Sequence, residues 1–175
     1  MKQKKCKICG TKFTPKYSTV QMVCSTLCSY QYAKKQKDKE WKKRKAQKKK
    51  ELMTLQDHLK IAQVAFNAFI RARDKGQPCI SCQNPNMKKV NASHYFNANN
   101  HYNVRFDEDN VHSACEKCNQ YLSGNLIPYR EALIKKIGQE RFNELEAKAR
   151  VTRKFTIHEV QEITKKYKEK LKGLK

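Results

Sequence analysis

Residues 78–119 read PCISCQNPNMKKVNASHYFNANNHYNVRFDEDNVHSACEKCN and contain two of the chain's four cysteine pairs. Cys79 and Cys82 stand near the start, Cys115 and Cys118 near the end, with 32 residues between the pairs. Two such pairs are typical of a structural zinc site, in which thiolates fill all four tetrahedral positions. Because this gap exceeds that of a compact zinc finger, we expect a structured insert between the pairs.

The insert predicts a small α+β core. Residues 90–96 have the composition of a strand, residues 102–106 that of a second short strand, and a helix is expected to begin around Cys115. The stretch 97–100 is rich in asparagine, which suits a turn between the two strands. We therefore expect two strands and a helix, with zinc connecting the incoming loop to the start of the helix.

One histidine and two asparagines follow a recognisable order in this core. His94 falls on the predicted first strand, Asn110 precedes the second cysteine pair, and Asn119 directly follows it. This order resembles the HNH (ββα-metal) nuclease motif. The resemblance implies that His94 activates a water molecule, that Asn110 orients the imidazole of His94, and that Asn119 binds the catalytic divalent ion. A packed His94 and an Asn110 that only caps a helix are the alternatives.

A wider set of short motifs over roughly residues 70–175 resembles the phage NinG (Rap) recombination proteins. The matching segments are residues 78–82, 91–95, 105–110, 118–119, 122–125 and 129–130. The resemblance implies a structure-selective endonuclease that acts on branched recombination intermediates, such as Holliday junctions or D-loops. It therefore implies DNA as the partner, and a bacterial host cytosol as the location if the chain is phage-encoded.

The catalytic metal site departs from a common HNH pattern. Many HNH nucleases carry an aspartate directly before the histidine, where this chain has Ser93. Serine is a poor ligand for a hard cation. His112 is the replacement ligand we expect, with Asp107 or Asp109 behind it. The expected catalytic ion is Mg2+ or Mn2+, and an imidazole ligand would favour Mn2+.

The N-terminal residues 1–33 predict a second zinc module. Cys6 and Cys9 form one pair, Cys24 and Cys28 the other, and 14 residues separate them. Four thiolates close a structural site without an open position for a substrate. We expect Cys24 and Cys28, spaced four apart, to lie at the start of a helix.

The positive charge of the chain predicts a polyanionic partner, and nucleic acid is the commonest one. The net charge is +23, and residues 1–73 carry 20 Lys/Arg against 4 Asp/Glu, whereas residues 74–130 are nearly neutral. Residues 34–50 hold 11 Lys/Arg, and we expect this run to be an open ensemble that becomes helical on nucleic acid. The residues expected to bind are Lys34, Lys35, Lys42, Lys43, Arg44, Lys45, Lys48, Lys49 and Lys50.

An apolar stripe follows the basic run. Its members recur at steps of three and four and predict an amphipathic helix over residues 52–73 that ends near Asp74 and Gly76. Packing within the domain is the first interpretation, and a coiled-coil homodimer is the second. The stripe consists of Leu52, Leu55, Leu59, Ala62, Phe66 and Phe69.

Three further helices are predicted downstream of the core. Pro128 begins one that Gly138 ends, residues 139–150 form another, and the capping box Thr156-Ile-His-Glu159 begins the last. The domain boundaries we expect are 1–33, 34–73, 74–130 and 131–175. No secretory signal or membrane-spanning stretch is visible, so we expect a cytoplasmic protein without a membrane partner.

Two functions are consistent with these patterns. The first is a metal-dependent, junction-selective endonuclease, and the second is a zinc-containing protein that binds nucleic acid without catalysis. Both use the eight cysteines and the lysines, so they differ only at His94 and Asn119.

Overall fold

The computed structural model describes residues 2–174 and divides the chain into two compact units, one running to Met53 and the other beginning at Thr54. Unit 1 contains the first four cysteines and the basic run, and unit 2 contains the segment 78–119. The predicted domain 34–73 therefore belongs partly to each unit.

Unit 1 consists of a two-stranded hairpin and one long helix. Strands β1 (Lys4–Lys5) and β2 (Lys12–Phe13) pair antiparallel, and helix α1 spans Thr26–Glu51. The hydroxyl of Ser25 accepts a hydrogen bond from the Cys28 N–H and so caps the start of α1. Cys28 lies in the first helical turn and Cys24 just before it, as the cysteine spacing predicts.

The basic run is helical in the structure, which corrects the expectation of an open ensemble. All of residues 34–50 lie within α1 and are exposed. The physical reason is that helix nucleation is the costly step, and the capped turn at Ser25 and Cys28 provides it. Propagation through lysine-rich sequence without Gly or Pro is then favourable. Three lysines in the last turn also interact favourably with the negative end of the helix dipole.

Unit 2 begins with helix α2 (Leu55–Arg73), whose start is fixed by a capping box between Thr54 and Asp57. Its buried residues include Leu59, Ala62, Phe66 and Phe69, which confirms most of the predicted stripe. Leu52 lies outside α2 and is exposed. The helix ends at Arg73 with Asp74 as its C-cap, close to the predicted end.

The stripe on α2 packs against helix α5 (Ile157–Gly173), the last helix of the same unit. Leu59 lies in one apolar cluster with Val160, and Phe66 in another with Tyr167. Because α5 covers these side chains, the interpretation of the stripe as a coiled-coil dimer contact is wrong.

The sheet of unit 2 has strands β3 (Val90–His94) and β4 (Val111–Cys115), paired antiparallel with His94 opposite Val111. The expected second strand over 102–106 is wrong, since residues 102–104 form a 3-10 turn. The first four residues of β4 are all buried. A strand covered on both faces lacks the alternation that identifies half-buried strands, which is why the pattern concealed it.

Helices cover both faces of this sheet. Val111 belongs to the cluster formed with α2 and α5, whereas Ala114 belongs to a cluster with Tyr129 and Phe142. Tyr129 lies on helix α3 (Leu126–Ile137) and Phe142 on helix α4 (Gln139–Arg150). The two predicted helices are thus confirmed, with Gly138 between them at φ +86.

The expected helix at Cys115 is instead one short π-helical turn, Lys117–Tyr121, after which the chain turns into α3. The capping box of Thr156 and Glu159 at the start of α5 is confirmed. Within residues 2–174, no helix has the length and apolar character needed to cross a membrane.

Candidate functional site

Each cysteine quartet can hold one metal ion. In both sets the four sulfur atoms lie within 4.8 Å of one another. The sulfurs of Cys82 and Cys115 are 3.8 Å apart, close to the edge of a tetrahedron with Zn–S bonds of about 2.3 Å. A disulfide would require about 2.05 Å. The donor set and its spacing therefore fit structural zinc in both units, as predicted.

Backbone N–H groups support the thiolates of the second quartet. The Cys115 N–H lies 3.3 Å from the Cys79 sulfur, and the Cys118 N–H 3.5 Å from the Cys115 sulfur. Burial opposes ionisation of Cys79, but hydrogen bonds from the Cys82, Cys115 and Ser81 backbones lower its pKa to about 7. Such donors favour the charged ligand form that zinc requires.

His94 is the last residue of β3 and lies between the sheet and α2. Its Nε2 is 3.1 Å from the carbonyl oxygen of Arg105, and its ring centroid is 6.3 Å from that of Phe66. Because a carbonyl can only accept, Nε2 carries the hydrogen in the neutral ring and Nδ1 keeps its lone pair. Burial lowers the pKa of His94 to about 4, so the ring is neutral at cellular pH.

Asn119, on the π-helical turn, lines the same open cleft as His94, with a volume of about 400 Å³. The cleft lies where the end of β3, the turn after it and the residues following the last cysteine meet. The structure thus brings together the predicted base and one predicted metal ligand. The other lining residues are Ser93, Asn97, Ala98, Asn99, Gln120, Ser123 and Gly124.

Asn110 has a different position from the one that the motif implies. It is fully buried, its Oδ1 accepts from the Phe96 N–H at 2.7 Å, and its Nδ2 donates to the carbonyls of Phe96 and Val104. These three bonds occupy the amide, and none goes to His94. Asn110 instead closes the loop 95–110, which also carries the Arg105 carbonyl that contacts His94.

His112 lies on the opposite face of the sheet from His94. It pairs with Ser93 across the strands, whereas His94 pairs with Val111, and neighbouring residues of a strand face opposite sides. The ring of His112 is 6.4 Å from that of Tyr129, and burial lowers its pKa to about 3. Because it does not line the cleft, the expectation that His112 ligates the catalytic ion is wrong.

Asp107 and Asp109 also point away from the cleft residues. Asp109 accepts a hydrogen bond from the Arg141 Nε at 3.1 Å, and Asp107 lies 3.8 Å from the Lys148 Nζ, both on α4. The described lining of the cleft therefore offers amide and hydroxyl oxygens but no carboxylate. Such a neutral donor set does not fit an Mg2+ site held by protein alone; it fits an ion shared with a substrate phosphate.

Two residues that the sequence analysis missed contact His94. The Arg105 Nε donates to the Gln63 Oε1 at 2.9 Å, and the Gln63 Nε2 lies 3.5 Å from the His94 Nε2. Gln63 also donates to Asn67, four residues later on α2. Gln63 and Asn67 are a polar pair beside the apolar stripe of α2, and this pair was the sequence feature that could have indicated the contact. Gln63 connects α2 to the site.

The lysines of α1 form a separate candidate interface. They lie on all sides of an exposed helix, as positions 34 to 50 span more than four turns. Trp41 is exposed among them, and the Lys45 Nζ lies 4.9 Å from its ring centroid. This surface can contact phosphates electrostatically from any direction.

Comparisons with known proteins are consistent over the whole chain. The family model described as "Bacteriophage Lambda NinG protein" matches residues 1–175. "Protein ninG" of Escherichia phage 933W is 37% identical over 190 residues, covering 99% of this chain and 94% of the relative. "Protein ninG" of Escherichia phage lambda is 45% identical over 117 residues, covering 67% of this chain and 57% of the relative. No solved structure matches.

Proposed function

The chain belongs to the phage NinG family, and we propose that it is a metal-dependent, structure-selective DNA endonuclease of the HNH type. The observation that carries this proposal is that a half-buried, neutral His94 and Asn119 line one cleft. The proposed substrates are branched recombination intermediates such as Holliday junctions or D-loops, which the motif resemblance implies.

His94 is the general base of the proposed reaction. Hydrolysis of a phosphodiester requires a water molecule that loses its proton as it attacks, and general-base help contributes about 10²–10⁴-fold. The Nε2–H of His94 is held by the Arg105 carbonyl, so Nδ1 is the nitrogen that accepts this proton. A neutral ring is available for this role throughout the physiological pH range.

Asn119 supports the phosphate side of the reaction. Its side chain supplies a neutral oxygen ligand in the cleft, and the scissile phosphate itself supplies negative charge. Mg2+ or Mn2+, when bound there, supplies the positive charge that a phosphoryl transition state requires. The structural zinc ions do not supply this charge, because thiolates fill their coordination positions.

A labelled four-way junction incubated with purified protein and Mg2+ or Mn2+ tests the proposal. Wild type is expected to cut it, and His94→Ala to lose about 10²–10⁴-fold in cleavage rate while keeping its affinity for the junction. His158→Ala is the matched control, because His158 is exposed on α5. Failure of the wild type to cut with either ion contradicts the proposal.

A second candidate function is a zinc-containing protein that binds nucleic acid without catalysis. Two observations favour it: the cleft lining has no carboxylate, and the Asn110 amide is fully engaged by the loop 95–110. A protein of this second kind would bind the four-way junction but leave it uncut in Mg2+ or Mn2+, and replacing Asn119 by Ala would change neither result. The same assay therefore separates the two functions.

A further inference from the structure

Residues 121–127, at the border of the cleft, expose a cluster of large apolar side chains. Tyr121 is 75% exposed and Ile127 81%, while Leu122 and Leu126 are each 47% exposed. Apolar residues are usually scattered singly on a protein surface, and a group of four within seven residues indicates an interaction site. We call this segment the apolar ridge.

The backbone of the apolar ridge is held in a special conformation. Ser123, Gly124 and Asn125 have φ of 48, 95 and 50, which only glycine adopts without cost. The Gly124 carbonyl accepts from the buried Ser81 hydroxyl at 3.0 Å, and the Gly124 N–H donates to the Cys118 carbonyl at 2.8 Å. The ridge is therefore ordered before any partner binds.

Residues of the apolar ridge line two depressions of unit 2. Ser123 and Gly124 line the cleft that contains His94 and Asn119. Leu122 and Asn125 line a second groove of about 560 Å³ next to the zinc-binding cysteines. That groove also contains Lys88, Lys89 and Lys117 together with Glu116, whose carboxylate lies 2.9 Å from the Lys89 Nζ, so three positive charges stand against one negative charge.

This arrangement suits a branched nucleic acid as the ligand. Lys88 and Lys117 of the second groove attract phosphates, the cleft takes the scissile phosphate, and the apolar ridge contributes residues to the lining of both. In a linear duplex the base faces are stacked and closed to such side chains. At a branch point stacking is weaker than within a continuous duplex, so the cost of inserting an apolar wedge, a few kcal/mol per step in a duplex, is lower there.

We propose that the apolar ridge inserts Tyr121 and Ile127 against unstacked bases at the branch point of a DNA junction, and that this contact selects branched over linear DNA. The inference rests on the proposed function for its choice of DNA as the partner. It goes further in naming the surface that recognises the branch. Contacts between the α1 lysines and DNA phosphates cannot distinguish branched from linear DNA, since both have the same phosphates.

Binding measurements without cleavage test the inference. Affinities of the full chain for a four-way junction and for a linear duplex of the same sequence are measured in Ca2+, by fluorescence anisotropy. Tyr121→Ser and Ile127→Ser are expected to weaken junction binding about tenfold each and to leave duplex binding within about twofold. Tyr121→Phe keeps the ring and is expected to keep the preference. Val151→Ser, another exposed apolar position, is the matched control.

A 2-aminopurine base at the branch point gives an independent signal. Its fluorescence rises when stacking is lost, so wild type and Val151→Ser are expected to raise it, and Ile127→Ser to raise it less. An unchanged ratio of junction to duplex affinity in both serine variants would overturn the inference, as would a wild type without any junction preference. A ridge that contacts a protein partner instead would give that first result. Failure of the proposed function is distinct: the junction preference and its loss are seen, but nothing is cut in Mg2+ or Mn2+.

Discussion

His94 is positioned by the backbone of Arg105, whose carbonyl oxygen lies 3.1 Å from the His94 Nε2. Arg105 belongs to the loop 95–110, so the direction of the proposed catalytic imidazole depends on how that loop closes. Asn110 closes it, through hydrogen bonds to both backbone groups of Phe96 and to the Val104 carbonyl. The proposed base and the buried asparagine are thus coupled through backbone, without a contact between their side chains.

The pH dependence of cleavage is expected to lack an inflection near pH 6.5, the ordinary pKa of histidine. Burial lowers the pKa of His94 to about 4, and the neutral ring is the active form. Activity is therefore retained as pH falls from 8 to about 5 and is lost only as pH falls through about 4. Single-turnover rates across this range, with melting temperature followed in parallel, provide the measurement. A halving of the rate near pH 6.5 contradicts a His94 ring that is neutral at that pH.

Asn119→Asp is expected to reduce the Mg2+ requirement of cleavage. The cleft lining lacks a carboxylate, and a new one would add the negative charge that hard cations prefer. The Mg2+ concentration for half-maximal cleavage should fall by about tenfold, in keeping with about 1.4 kcal/mol of added binding free energy. Gln120→Glu, on the adjacent residue of the same cleft, is the control for charge alone. Equal shifts in both variants would argue against direct ligation by Asn119.

Asn110→Ala is expected to lower the free energy of unfolding by about 2–4 kcal/mol, because it leaves three backbone groups, two at the half-buried Phe96 and one at the buried Val104, without this hydrogen-bond partner. Urea denaturation followed by circular dichroism measures this loss. Asn103→Ala, which removes one bond between the Asn103 side chain and the Lys148 carbonyl at the surface, should cost under about 1 kcal/mol. A stable Asn110→Ala variant that fails only in catalysis would restore the role that the motif resemblance implies.

Replacing one cysteine in each quartet should show that the two quartets bind zinc independently. Cys9→Ser and Cys82→Ser are each expected to reduce the zinc content by half, measured by mass spectrometry of the metal. Cys82→Ser should also abolish cleavage, because Cys115, in its quartet, ends the strand that pairs with the His94 strand. Cys9→Ser lies in the other unit and should retain cleavage at low salt. Loss of both zinc ions in either variant contradicts two independent sites.

The salt dependence of DNA binding should show whether the lysines of α1 contact DNA phosphates. If the basic regions neutralise about 6–10 phosphates, affinity should fall about 10³–10⁵-fold between about 50 and 200 mM salt. The triple variant Lys42→Gln, Lys43→Gln, Lys45→Gln should reduce the slope of log Kobs against log salt by about three units. The corresponding Lys→Arg variant keeps the charge and should keep the slope. A slope that the glutamine variant leaves unchanged would exclude α1 from the interface.

Local spacing in the sequence predicted much of this protein. The paired cysteines indicated both four-cysteine clusters that can hold a metal ion, and the bounds of α4 and the capped start of α5 follow from residues within one or two turns. These predictions are correct because the physical cause of each feature is local. A ligand pair, a cap or a glycine at a helix end acts on its own neighbours in the chain. The motif resemblance named His94 and Asn119 as site residues, and the structure places both at one cleft.

Tertiary structure decided which of the other candidates reach the cleft. His112 is separated from His94 by the register of β3 and β4, since a shift of one residue moves every side chain to the opposite face. Asn110 became a buried loop closure, and Gln63, on a helix 31 residues before His94, became its neighbour. The physical reason is the same in each case. The burial and the contacts of a side chain depend on elements far apart in the chain. The spacing of residues within one segment does not indicate which other segment packs against it.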